Sequence, residues 1–236
     1  MSGEAYAAAG ARASSSRSSG RRGGAPPSPS VPLMLAAGCA AALALVWCLA
    51  ELVPAIHLRD AILLHDFTRL GGPRLNPALR SLLHLLDPSL FVLWGIALVA
   101  LAMARSRPRV ALAIAVVLAV APLSAEVLKP LLGHGNAGYQ GTSLGVSSWP
   151  SGHATAALTL VLCAVLAAPA RWRPVAAALG GLFAAAVGAG LLILVKHMPS
   201  DVIGGYLTAT LWIALAVAAL RWAEHRWPSP RPPAVS

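Results

Sequence analysis

Two short clusters in this chain attach chemically capable side chains to long apolar stretches. Pro150-Ser151-Gly152-His153 opens one stretch, and His197-Met198-Pro199-Ser200-Asp201 closes another. Lys129, just after Glu126, ends a third. Ionisable groups are costly at the ends of hydrophobic helices, so by default they mark a functional site. In the first cluster proline suits a helix start, serine can cap it, and glycine lets the backbone approach a ligand closely. The free N–H groups there and the positive end of the helix dipole make an anion cradle. His153 is then placed to give a proton to a leaving oxygen. If the chain stays helical from His197 to Asp201, the two share a face. The carboxylate can then fix the imidazole tautomer and raise its basicity, which suits a nucleophile or a base. A cation, two imidazoles and a helix N-terminus at one face fit an anionic group, phosphate above all.

These groups must be held by membrane-spanning helices. The chain is 57% hydrophobic and 11% charged, with a mean hydropathy of +0.70, more apolar surface than a soluble core of 236 residues requires. Six charge-free runs cover residues 31–50, 88–104, 110–125, 154–170, 174–195 and 202–220. Each has 16 to 22 residues, against the roughly 20 that cross a hydrocarbon core of about 30 Å. The expected fold is all-α, a polytopic helical bundle with six transmembrane helices. One membrane domain of residues 31–222 is flanked by cytoplasmic tails, 1–30 and 223–236, too polar to order themselves. The N-terminal tail lacks the form of a cleaved signal, because its charged region is long and no small-x-small site ends the apolar stretch.

The net charge of +10 follows the membrane rather than a polyanion. With the N-terminus inside, Arg12, Arg17, Arg21, Arg22, Arg105, Arg107, Arg109, Arg171, Arg173, Arg221, Arg226 and Arg231 all fall on the cytoplasmic side. That is the positive-inside pattern, so nucleic acid is not an expected partner. Trp172, Trp222 and Trp227 fit interfacial anchors. Cys39, Cys48 and Cys163 lie within apolar runs, with no metal-like spacing or evident disulfide set, and read as small buried hydrophobes.

Residues 55–87 differ from the spans. Ile62, Leu63, Phe67, Leu70, Leu79, Leu82, Leu83 and Leu86 recur at near-helical spacing among charges, interrupted by Gly71-Gly72-Pro73. Two short amphipathic helices are expected, an extracytoplasmic elbow whose Asp60, His65, Asp66 and His84 form a solvated face near lipid headgroups. The segment 132–149, rich in Gly, Ser and Asn, suits a lip over the site. Lys129, His153 and His197 are all expected on the outer side.

The motif Pro150-Ser151-Gly152-His153, followed by His197 and Asp201 four residues on, with Lys129 upstream, resembles the type 2 phosphatidic acid phosphatase superfamily. The resemblance runs from about residue 60 to 220. It implies that His197 attacks phosphorus to form a phosphohistidine, oriented by Asp201, and that His153 protonates the leaving group and then assists water. It implies that Lys129, the Ser151 hydroxyl and the Gly152 and His153 amides hold the phosphoryl oxygens, with no metal and no cofactor. Two family arginines are replaced. The Arg-Pro pair after the lysine is Asn136-Ala137 here, and the Ser-Arg pair ahead of the second histidine is Gly190-Leu191. His134 and Asn136 remain as candidate phosphate contacts. Compensation would fall to His134 or Lys196, but on a regular helix Lys196 points away from the site. Each lost bidentate contact weakens binding or turnover. Restoring arginine at positions 136 and 191 would raise turnover, unless residue 191 is packed, where a charge would destabilise its span.

Three functions compete. The first is a phosphatase acting at the extracytoplasmic face of the cell membrane on a lipid phosphate or pyrophosphate: phosphatidate, phosphatidylglycerol phosphate or a polyprenyl pyrophosphate. The second is a relative that binds or transports anionic phospholipid with little catalysis. A small-solute transporter fits worst, since no span pair reads as broken helices. Besides substrate and membrane lipid no partner is implied, and nothing in the sequence sets an oligomeric state.

Overall fold

The computed structural model describes residues 28–132 and 149–227. His134, Asn136 and most of the expected lip lie outside the described residues, as do residues 1–27 and 228–236 of the two tails. Proline sets most helix boundaries. The helices are α1 (Ser30–Leu52), α2 (Pro54–Thr68), α3 (Leu75–His84), α4 (Pro88–Ala104), α5 (Pro108–Leu132), α6 (Gly152–Ala167), α7 (Arg173–Ile193) and α8 (Pro199–Arg226), with a 3-10 turn at Ala170–Trp172 before α7. Helices α2, α4, α7 and α8 each carry proline at one of their first two positions, where the missing N–H costs nothing. Val53, between α1 and α2, is extended at φ −111°, ψ 99°, as a residue before proline should be.

The six apolar runs each fall on a separate helix, and among the described residues four of the helices are by themselves long and apolar enough to cross a membrane. They are α1, α5, α8 and α7 with its preceding turn. Helix α4 qualifies only jointly with α3, across a 56° bend, which gives up to five. Helix α6 has 16 residues, about 24 Å at 1.5 Å per residue, short of a hydrocarbon core. Helix α6 packs against α5, α7 and α8, and Ala154, Thr155, Ala157, Thr159 and Cys163 are fully buried. The outer helices turn Val92, Ile96, Leu112, Leu123 and Leu182 outward, apolar surface that lipid rather than water would cover. The protein is a membrane protein by these helices.

Residues 55–87 hold the two expected short helices, α2 and α3, joined by a link at 69–74. They bury Ala61 and Leu64, and Leu79 and Leu83, respectively, and α3 packs on α7. At the same end of the bundle, the Trp47 indole of α1 donates to the Leu132 carbonyl of α5 at 2.7 Å. The opposite end collects arginines. Arg107 donates to the Leu166 carbonyl (3.1 Å), Arg109 to that of Trp227 (2.8 Å) and Arg221 to that of Ser28 (3.0 Å).

Two helices end in the same way. After α4, Ser106 has φ 54°, with its N–H on the Met103 carbonyl and that of Arg107 on Ala102. After α7, Val195 also has φ 54°, with its N–H on Leu192 and that of Lys196 on Leu191. Both are Schellman closures, which usually place glycine at the left-handed position. A β-branched residue there is a genuine outlier.

Candidate active site

Ser151 caps α6. Its backbone is extended and its Oγ accepts from the Ala154 N–H at 3.3 Å. The Gly152 and His153 amides therefore sit in the first turn, with no carbonyl of their own helix to bond. The buried Ser151 Oγ, acting as acceptor, keeps its own proton to donate. The Ser151 N–H donates to the Asp201 carbonyl at 3.0 Å, joining the two motifs through the backbone. Thr155 strengthens the joint, its hydroxyl lying 2.8 Å from the Ser151 carbonyl and 3.2 Å from that of Gly205. A Cβ on Gly205 would stand 2.6 Å from the Ser151 carbonyl oxygen, so only glycine allows this approach of α8 to α6.

The His197–Asp201 pair forms, but not as the helical spacing suggested. Helix α7 stops at Ile193 and α8 starts at Pro199, so His197 lies in the link between them. Asp201 reaches back from the first turn of α8. Its Oδ2 accepts from the Met198 N–H at 2.8 Å and lies 3.3 Å from His197 Nδ1. One carboxylate thus caps the helix and orients the imidazole. His197 is 8% exposed and Asp201 2%, so little water competes for the contact.

Lys129 closes the other side. Its Nζ lies 2.6 Å from Glu126 Oε1, and a Cβ on Gly152 would stand 2.6 Å from that oxygen and 3.5 Å from Nζ. The ion pair therefore rests on Gly152, at the mouth of the amide cradle. His153 lies between two cavities. One, of about 290 Å³, is lined on its polar side by Lys129, Glu126 and Gly152 and on its apolar side by Leu86, Phe91 and Ala156. The other, of about 180 Å³, is lined by Arg80, Leu83, His84, Asp87 and Lys196. His197, Lys196 and Lys129 all bear on His153 electrostatically, with Asp87 opposing them.

Two expectations change here. Lys196 sits in the link, not on a regular helix, and lines a cavity with His153. Asp60 is not part of a solvated face. Its carboxylate accepts from the Ser200 hydroxyl at 2.6 Å and the Ser200 N–H at 3.2 Å, pinning α2 to the start of α8 between His197 and Asp201. Burial pushes the Asp60 carboxyl above the usual carboxylate range, against the lowering effect of those bonds. A contact spanning 140 residues leaves no mark in the sequence. The Gly204-Gly205 pair after Asp201 was the available sign of close packing. Leu191 is fully buried in the core, which meets the condition under which an arginine there would destabilise its span. Among the described residues no group of three or more His, Cys, Asp or Glu is placed to hold a metal ion.

Residues 109–225 match the model of the PAP2 superfamily. A crystal structure of a transmembrane PAP2-type phosphatidylglycerolphosphate phosphatase from Bacillus subtilis shares the fold, with a TM-score of 0.63 and 19% identity, covering 86% of this chain and 98% of that one. No curated protein matches the sequence.

Proposed function

We propose, on the premise that residues 109–225 belong to the PAP2 superfamily, that this protein is an integral membrane phosphatase hydrolysing a lipid phosphate or pyrophosphate. One arrangement supports it most directly: Asp201 holds the His197 imidazole through its side chain and the α6 amide cradle through its carbonyl. Nucleophile and anion site are thereby fixed to one another.

In this reading the Nδ1–H of His197 donates to Asp201, which leaves the Nε2 lone pair free to attack phosphorus. The N–P bond forms as the P–O bond to the lipid breaks, and His153 gives that oxygen a proton. The now neutral His153 takes a proton from water, whose oxygen attacks phosphorus. The P–N bond then breaks, releasing phosphate and restoring His197. Lys129, the Ser151 hydroxyl and the first-turn amides of α6 face the charge that builds on the phosphoryl oxygens. The cavity beside Lys129 shares Leu86 with a wholly apolar groove of about 440 Å³ among α4, α6 and α7, a route for a hydrocarbon chain from headgroup to membrane interior. The arginine asymmetry favours the extracytoplasmic face for the site.

The binding-only alternative draws on the buried Leu191 where the family carries arginine. Phosphate release from a panel of lipid phosphates in EDTA separates the two. Turnover, with a phosphoenzyme that is acid-labile and base-stable, supports the phosphatase; a folded protein that binds these lipids without releasing phosphate overturns it.

A further inference from the structure

The position that lacks the family's arginine also explains what stands near the site instead. Gly190 precedes the buried Leu191, and a Cβ on Gly190 would lie 3.3 Å from Leu79 Cδ2. The bare backbone at 190 thus leaves room for Leu79 where α3 packs on α7. Arg80 follows Leu79 directly. Arg80, Leu83 and His84 are spaced three and four residues apart, so they share a face of α3. That face lines the cavity that also holds His153 and Lys196.

The charges in this cavity do not balance internally. Asp87 is its single carboxylate, and it pairs with His84 at 3.0 Å. The side chains of Arg80 and Lys196 have no hydrogen bond or ion pair among the described residues. Two unpaired cations beside the His153 imidazole attract an anion. At about 180 Å³ the cavity is smaller than the roughly 300–1,000 Å³ of drug-sized sites, which suits a phosphate group and excludes an acyl chain. The left-handed turn at Val195 aims the link at this cavity, since Lys196 and His197 are the residues that follow it.

We infer that Arg80 and Lys196 form a substrate phosphate clamp, supplied by α3 and the α7–α8 link in place of arginines at positions 136 and 191. Identifying the anion as substrate rests on the phosphatase reading; anion binding itself does not. The clamp holds either the reacting phosphoryl group or a second phosphate on the leaving-group side of His153.

The test uses the full chain in detergent micelles and separates binding from turnover. Affinity for inorganic phosphate and pyrophosphate is read from the rise in Tm with ligand concentration. Arg80→Ala and Lys196→Ala should each weaken binding of one or both anions about tenfold, and the double variant about a hundredfold. Arg80→Lys should recover part of the loss. Both residues are exposed, so the unliganded Tm should stay within a degree or two of wild type. Arg74→Ala, a cation at the start of α3 outside the cavity, should change nothing; an equal loss there would mean diffuse surface charge and overturn the clamp. On lipid substrates, equal loss of kcat/KM for a monoester and a diphosphate places the reacting phosphoryl in the clamp. Loss confined to the diphosphate places the leaving phosphate there. A folded double variant with wild-type anion affinity overturns the inference, whether or not the wild type turns over.

Discussion

The two ends of the bundle use their charges in opposite ways. At one end, arginines close open helix ends: Arg107, Arg109 and Arg173 donate to the carbonyls of Leu166, Trp227 and Ala168. At the other end carboxylates do the capping, Asp201 on the Met198 amide and Asp60 on Ser200, while the side-chain cations of Arg80 and Lys196 stay unpartnered among the described residues. The turns repeat the contrast. The same closure is made with exposed Ser106 at the arginine end and with β-branched Val195 at the other. Stability explains the first end. The second leaves cations unspent and backbone strained, which is expected where ligand binding shapes the sequence.

The sharpest break of this comparison is at the histidines. His197→Ala should lower kcat about 10⁴-fold or more with Tm little changed, and His153→Ala about 10²- to 10⁴-fold, less for substrates with good leaving groups. Phosphate release from one lipid phosphate by matched, folded preparations decides it; wild-type rates in His197→Ala would end the mechanism. At the arginine end, Arg109→Ala should leave kcat unchanged and lower Tm by only a few degrees.

Next in size is Leu191→Arg. An unpaired cation in that fully buried position should cost several kcal/mol, read as loss of folded protein after extraction. A stable, more active variant would show that the core can open to admit the family's residue. Gly152→Ala should act more gently, because its Cβ meets Glu126 Oε1 at 2.6 Å, an atom on a side chain that can turn. Displacing the Glu126–Lys129 pair should lower kcat/KM about tenfold, with Tm nearly constant.

How far the sequence could be read follows the same division. Lys129, Ser151, Gly152, His153, His197 and Asp201 lie in short motifs at the ends of apolar runs, and that placement led to the expectation that they share one face. The helix runs and the two short helices at 55–87 were also legible, because apolar periodicity and proline act locally. The kinked path of His197 was not, since it depends on a left-handed valine that local preference argues against. Nor were Asp60 on Ser200, Leu79 on Gly190 or Arg80 beside His153, all contacts between distant segments. The run at 154–170 forms a helix of only 16 residues, α6, whose burial among its neighbours its apolar composition did not distinguish from exposure to lipid.

A smaller test compares the twin turns. Ser106→Gly removes only the left-handed strain and should stabilise by about 0.5–1 kcal/mol. Val195→Gly relieves more strain but gives up a side chain packed against the core, so its gain should be near zero. Activity should fall only for Val195→Gly, because Lys196 and His197 follow that turn. Equal effects on activity would mean that the valine has no part in aiming them.

The smallest expected effect is a pH dependence at Asp60. Its folded-state carboxyl lies above the ordinary range because burial outweighs the Ser200 bonds. A raised pKa means that folding favours the protonated form. The stability it contributes is then full below the unfolded value of about 3.9 and is lost as pH rises through the folded value. Asp60→Asn keeps one acceptor for Ser200 and cannot titrate. The Tm of wild type minus that of Asp60→Asn should therefore fall as pH rises from about 4 through the raised value. The opposite slope would mean that the charged carboxylate is the better cap for α8, with the positive end of that helix outweighing desolvation. Asp60 would then belong with Asp201 as an ionised anchor of the site, and the contrast between the two ends would rest on carboxylates charged in both anchors.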